Sequence, residues 1–145
     1  MPPRVREWLF LLGYGLLATH ELDAVARAEW RVLPGLSLLD DDLAQPLFIL
    51  LHVPLFALLT GLLASADAVV RARTRHGISL FLVVHAGLHL LFSGHRHYDF
   101  GTPLSEGLIF GGALCGLGWL ALSPVRPAKA VTHAENAERA EKDDP

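Results

Sequence analysis

Residues 46–70 read PLFILLHVPLFALLTGLLASADAVV, a run whose first charged side chain is Asp67. A helix needs ~17–25 predominantly apolar residues to cross the hydrocarbon core of a bilayer. This run has that length and carries one histidine, His52, near its middle. Working outward from it, residues 8–26, 77–93 and 106–123 form three further apolar stretches. The third of the four spans, at 77–93, is the shortest. None shows the continuous polar face of a soluble amphipathic helix. The pattern predicts an all-α integral membrane four-helix bundle over residues 1–123.

Composition agrees. The chain is 52% hydrophobic and 19% charged, and its charges cluster in the termini and connections, as spans that exclude charge require. The net charge of -3, with no basic-aromatic stripe, argues against nucleic-acid binding. The single cysteine, Cys115, rules out an intrachain disulfide and a multi-cysteine metal site. It sits in an apolar run, where a small packing residue is the simpler reading.

Connections are predicted where turn formers and charges gather. Pro34-Gly35 and Asp40-Asp41-Asp42 fall between the first two spans; the aspartates read as a solvated loop rather than a calcium site. Arg71 to Gly77 joins the second span to the third, and Gly94 to Pro103 the third to the fourth. Ser105 reads as the N-cap of the last helix, with Glu106 in its first turn. From Pro124 the chain is rich in Ala, Glu and Lys, which predicts a disordered cytoplasmic tail over 124–145.

Arg4, Arg6, Arg71, Arg73, Arg75, Arg126 and Lys129 fall on one side of a four-span topology. The positive-inside rule then places both termini in the cytoplasm. Trp8 and Trp119 would sit at the inner interface, Trp30 and Tyr98 at the outer one. Arg4 and Arg6, the run 8–18 and Ala24-Val25-Ala26 also have the outline of a cleaved signal peptide. His20, Glu21 and Asp23 are unusual so close to a cleavage site and favour a retained first span.

The polar residues inside the spans carry the functional signal, because ionisable groups in a bilayer are costly and mark function. These are His20, Asp23, His52, His85 and His89. At 1.5 Å per residue, His20 lies roughly 9 Å below the outer end of its helix, His52 roughly 10 Å, His89 roughly 6 Å and His85 roughly 12 Å. Three helices thus place imidazoles in one layer of the outer half. His20 and Asp23 share a helix face, as do His85 and His89. Pro54, two residues after His52, can kink the second span and open a polar cavity there. His95, His97, Asp99, Glu29 and Glu106 would form its mouth.

Imidazoles with a carboxylate form a ligand set for zinc or iron. The pair His85-Ala86-Gly87-Leu88-His89 has the i, i+4 spacing of a one-helix metal clamp but lacks the glutamate of the HExxH protease motif. A three-histidine site with Asp23 leaves room for a water that the metal activates, and Glu21 or Glu29 is the candidate general base. The alternatives are a haem held between histidines of facing helices, a proton path, and polar contacts that hold helices together. Gly107, Gly111, Gly112 and Gly116 form a small-residue ladder suited to packing within the bundle or to a homodimer. The arginine run at 71–75 reads as a topology anchor, with anionic-lipid contact secondary.

Thr19-His20-Glu21-Leu22-Asp23-Ala24, followed by Glu29-Trp30-Arg31 and Leu33-Pro34, resembles the signature of a family of small bacterial four-span membrane proteins of unknown function. Leu51-His52-Val53-Pro54-Leu55-Phe56 and His85-Ala86-Gly87-Leu88-His89-Leu90-Leu91-Phe92 fit the same pattern. The resemblance covers about residues 8–122. It implies a four-span fold in a bacterial inner membrane and brings no established activity. The sequence thus predicts a membrane protein with an intramembrane His/Asp metal site and potential hydrolytic activity; the alternative is a non-enzymatic bundle, either haem carrier or partner subunit.

Overall fold

The computed structural model describes residues 3–123; the predicted tail at 124–145 lies outside the described residues. Helix α1 spans Pro3–Ala26, α2 Asp41–Leu63, α3 Ala68–Phe92 and α4 Pro103–Ala121, with no strand among the described residues. All four are long and apolar enough to cross a membrane. The bundle is the predicted one, but its boundaries differ in an informative way. The second helix stops at Leu63, and the turn to the third falls at 64–67 rather than at Arg71–Gly77. Asp67 makes that turn: its carboxylate accepts from the backbone N–H of Val69 at 2.7 Å and of Val70 at 3.4 Å, capping α3. Arginine is a good helix former, so Arg71, Arg73 and Arg75 lie in the opening turns of α3 instead of a loop.

The helices pack unequally. On α1, Phe10, Gly13, Leu17, His20 and Ala24 recur at helical spacing and are buried. They face Ile78, Leu82 and Ala86 of α3 and Ile109, Gly112, Cys115 and Trp119 of α4, all buried. Small residues let the backbones approach, which drives packing where lipid replaces water. A Cβ on Gly116 would stand 2.5 Å from the carbonyl oxygen of Ser79, and one on Gly112 would stand 3.3 Å from Leu82. This part of the glycine ladder lies inside one chain, whereas Gly107 has open space around it.

Helix α2 is different. It buries only Ala44 and Phe48, and Ile49, Leu50, Leu51, Val53, Leu55 and Leu58 are exposed, as suits a lipid-facing helix. It runs through Pro46 and Pro54 without a break in its helical span. Its firm attachment is at its first turns. Trp30 donates to Asp41 at 3.0 Å and Arg31 donates to both oxygens of Asp41, while Trp30 and Phe48 pack together with Ala24 and Ala44.

The two ends of the bundle have opposite character. At one end Arg75 donates to Glu7 at 2.8 Å and lies over Phe10, and Arg6 lies over Trp119. At the other, α1 ends where Ala28 takes a left-handed conformation, φ 53° and ψ 47°. That reversal begins a short 3-10 turn, Glu29–Arg31, which folds back over the bundle. Arg27 closes the same end by contacting Asp23 at 3.4 Å and Asp99 at 3.2 Å. Helix α4 is capped by Thr102, whose hydroxyl accepts from the Ser105 N–H at 3.1 Å. Pro103 takes the first helical position, which its fixed φ suits, so the cap lies three residues ahead of the predicted Ser105. Trp30 and Trp119 are buried, each packed at one end of the bundle.

Candidate metal centre

His20, near the end of α1, and His85 and His89, one turn apart on α3, converge at the capped end. One ring nitrogen from each lies within 4.8 Å of the others. The Nε2 atoms of His85 and His89 are 3.2 Å apart. Nitrogens held ~2.0–2.1 Å from a tetrahedral zinc stand ~3.3 Å from one another, so this spacing fits two ligands on one ion as well as the hydrogen bond that the two rings make without one. The reversal at Ala28 brings Glu29 over the same point: its Oε2 lies 3.8 Å from His20 Nε2 and its Oε1 3.7 Å from His89 Nε2.

The surroundings show what such a cluster lacks. His20 is 1% exposed, and neither of its ring nitrogens has a hydrogen-bond partner. Buried polar atoms are normally satisfied, and an orphaned imidazole inside a bundle is destabilising unless something binds it. A metal ion held by the three histidines would satisfy one of those nitrogens. His89 has the complementary feature, since its Nδ1 lies 3.3 Å from the Tyr98 hydroxyl. Metal-bound histidines usually fix their second nitrogen in such a contact. Phe100, 1% exposed, closes the base with its ring 5.6 Å from His20 and 4.8 Å from His89. The cluster can hold a metal ion.

The remaining site candidates take other places. Asp23 is buried beside the cluster, and its Oδ1 accepts from Arg27. His52 lies across a cavity of about 250 Å³ whose wall includes Glu21, Glu29, His52, His85, His89 and Tyr98. There it forms a dyad with Glu21, with Nε2 to Oε2 2.8 Å, while its Nδ1 lies 2.7 Å from the Phe48 carbonyl oxygen. That carbonyl only accepts, so Nδ1 carries a proton. The contact between Nε2 and Glu21 therefore holds one more proton, on either the ring or the carboxyl. Glu29 lies in the loop beyond α1; burial, reinforced by the charges of Glu21 and Asp23, pushes its pKa up to about 7. Two groups able to exchange a proton thus border the cavity into which the cluster opens.

Tyr98 and Phe100 were not among the sequence-derived site residues. Both come from the connection after α3, and the available signal was an aromatic pair beside His95, His97 and Asp99 in a stretch otherwise too polar to pack.

The bundle and its histidine cluster define a polytopic helical membrane protein with a polar centre buried at one end. Residues 6–126 match a family model described as a family of unknown function (DUF6713), and the chain belongs to that family. Comparison with curated proteins and with solved structures finds no significant match to either.

Proposed function

We propose that the protein is a metal-dependent membrane enzyme of hydrolytic type, with His20, His85 and His89 as the ligands. One observation carries the reading: three imidazoles from two helices each bring a ring nitrogen within 4.8 Å of the others, and the most buried of them has no hydrogen-bond partner. Zinc or iron bound there supplies Lewis acidity, which polarises a substrate and makes water nucleophilic near neutral pH. Glu29, whose oxygens lie 3.8 Å from His20 and 3.7 Å from His89, would serve as a further ligand or as a base beside such an ion. Glu21 and His52 face it across the cavity and supply or remove a proton from the leaving side. Asp23 acts indirectly in this scheme, holding Arg27 and through it the Asp99 loop.

The arginines at the opposite end support placing the centre on the outer side of a bacterial inner membrane, with both termini in the cytoplasm. The haem alternative draws less support. A haem needs its two imidazoles on opposite sides of a flat macrocycle, whereas all three rings here touch, with centroids 4.6–5.0 Å apart. A non-enzymatic bundle remains the rival, in which His89–Tyr98 and His52–Glu21 only join elements together.

Metal analysis of the detergent-purified chain tests the proposal. One zinc or iron per chain, lost in His20→Ala and in His89→Ala, is the expected result. A folded wild-type protein that takes up neither metal overturns it, and a Soret band would assign haem instead.

A further inference from the structure

A second cavity, of about 350 Å³, runs between α2 and the face formed by α1 and α3. Its walls include Leu17, Leu55, Leu59, Leu62, Ile78 and Phe81, with Glu21 and Thr74 as its polar members. Glu21, Leu55 and Phe81 also line the cavity in front of the histidines. The two spaces therefore adjoin at these side chains, and together they are apolar along most of their length and polar at the histidine end. This cleft lies between helices long enough to span a membrane, so the medium along its open side is lipid. The loose packing of α2 creates it: the helix is clamped at its first turns and by His52–Glu21, and beyond these it buries no residue fully and meets α1 through Tyr14, which touches Phe56 and lies 3.4 Å from the Thr60 hydroxyl.

We infer that this cleft holds the hydrocarbon chain of an amphiphile that enters sideways from the bilayer, with its polar reacting group between the Glu21–His52 pair and the histidine cluster. The inference rests on the hydrolytic reading for what happens at the polar end. The polarity of the cleft matches an amphiphile, with a dry trough for the tail and titratable groups at the head. A single slender chain reaches this space from the open, lipid-facing side without the bulk of a helix, which at ~10 Å across and 15 Å long occupies about 1,200 Å³. The substrate class is a lipid with a long, slender chain and a hydrolysable bond close to its polar end.

The experiment uses the full chain in phosphatidylcholine nanodiscs with palmitic acid carrying a mid-chain diazirine. After irradiation, adducts are mapped by mass spectrometry, and metal content is measured on the same samples. The expected result is several-fold enrichment of adducts on Leu59, Leu62 and Ile78 over the lipid-facing Leu58, Leu80 and Leu91. Leu59→Trp and, independently, Leu62→Trp should abolish the enrichment by filling the trough, while Leu58→Trp leaves it unchanged. Adducts spread evenly over both sets overturn the inference. So does a benzophenone residue placed at position 62 that links to another polypeptide rather than to lipid. Enrichment in a preparation that holds no metal supports the cleft's occupant and overturns only the metal-centred chemistry.

Discussion

His20 and Glu29 are nine residues apart in the chain and 3.8 Å apart across the centre. The left-handed turn at Ala28 creates that proximity, carrying the carboxylate back over the helix it has just left. Among the described residues, Glu29 is thereby the one acidic group beyond the spans that reaches two of the histidines.

If Glu29 works as a base beside the ion, Glu29→Gln should keep the metal and lose turnover by ~10²–10⁴-fold, the range for removing a positioned proton acceptor. His20→Ala should instead lose the metal itself. Metal stoichiometry and turnover measured on both variants separate the two roles. Full activity in Glu29→Gln would remove Glu29 from the chemistry.

Tyr98→Phe deletes one hydroxyl and the contact to His89 Nδ1. Outer contacts to metal-bound histidines typically contribute 10–100-fold in affinity, so metal binding should weaken by about that factor while the helical content stays unchanged. Competition with a chelator reads the affinity. An unaltered affinity would mean that Tyr98 only packs against the ring.

At Ala28 the backbone angle, not the side chain, is decisive. Valine is a severe misfit in the left-handed region, and Ala28→Val should cost about 1–3 kcal/mol of stability and weaken metal binding as Glu29 is displaced. Ala28→Gly, which adopts this angle freely, should preserve both. Thermal unfolding and metal titration of the pair check this; similar behaviour of the two variants would sink the argument.

Gly116→Ala puts a methyl group against the Ser79 carbonyl, where a Cβ would stand 2.5 Å away. Forced overpacking of this kind costs roughly 1–3 kcal/mol. Gly107→Ala, with nothing around it, should be neutral or slightly stabilising, since alanine is the better helix former. The midpoints of unfolding in one detergent give the comparison.

The four helices were legible because hydropathy reports which residues a bilayer accepts. The same signal does not report where a helix ends, and so Arg71, Arg73 and Arg75 read as a loop. The Asp67 cap is a local hydrogen-bond device of which an apolar window takes no notice. Shared depth brings His20, His52 and His89 to attention with His85 below them, and the structure instead places His20, His85 and His89 side by side. Depth alone could not divide five polar residues among three groupings. His52 turns to Glu21, and Asp23 to Arg27, because rotation about each helix axis, which a depth estimate does not contain, decides which neighbours meet. Phe100 escaped notice for a related reason: a loop residue gains its place from the chain's return path, not from any periodicity.

The Phe48 carbonyl has an effect beyond orienting the His52 ring. By fixing a hydrogen on one nitrogen it leaves the Glu21–His52 contact with a single mobile hydrogen, and the pair sums to zero charge wherever that hydrogen resides. Moving one elementary charge through a membrane potential is worth ≈ 2.3 kcal/mol per 100 mV. A hop of about an ångström within a neutral couple feels only a small fraction of that field. The protein thus keeps an acid ready inside a hydrocarbon layer in a form almost blind to the voltage across it.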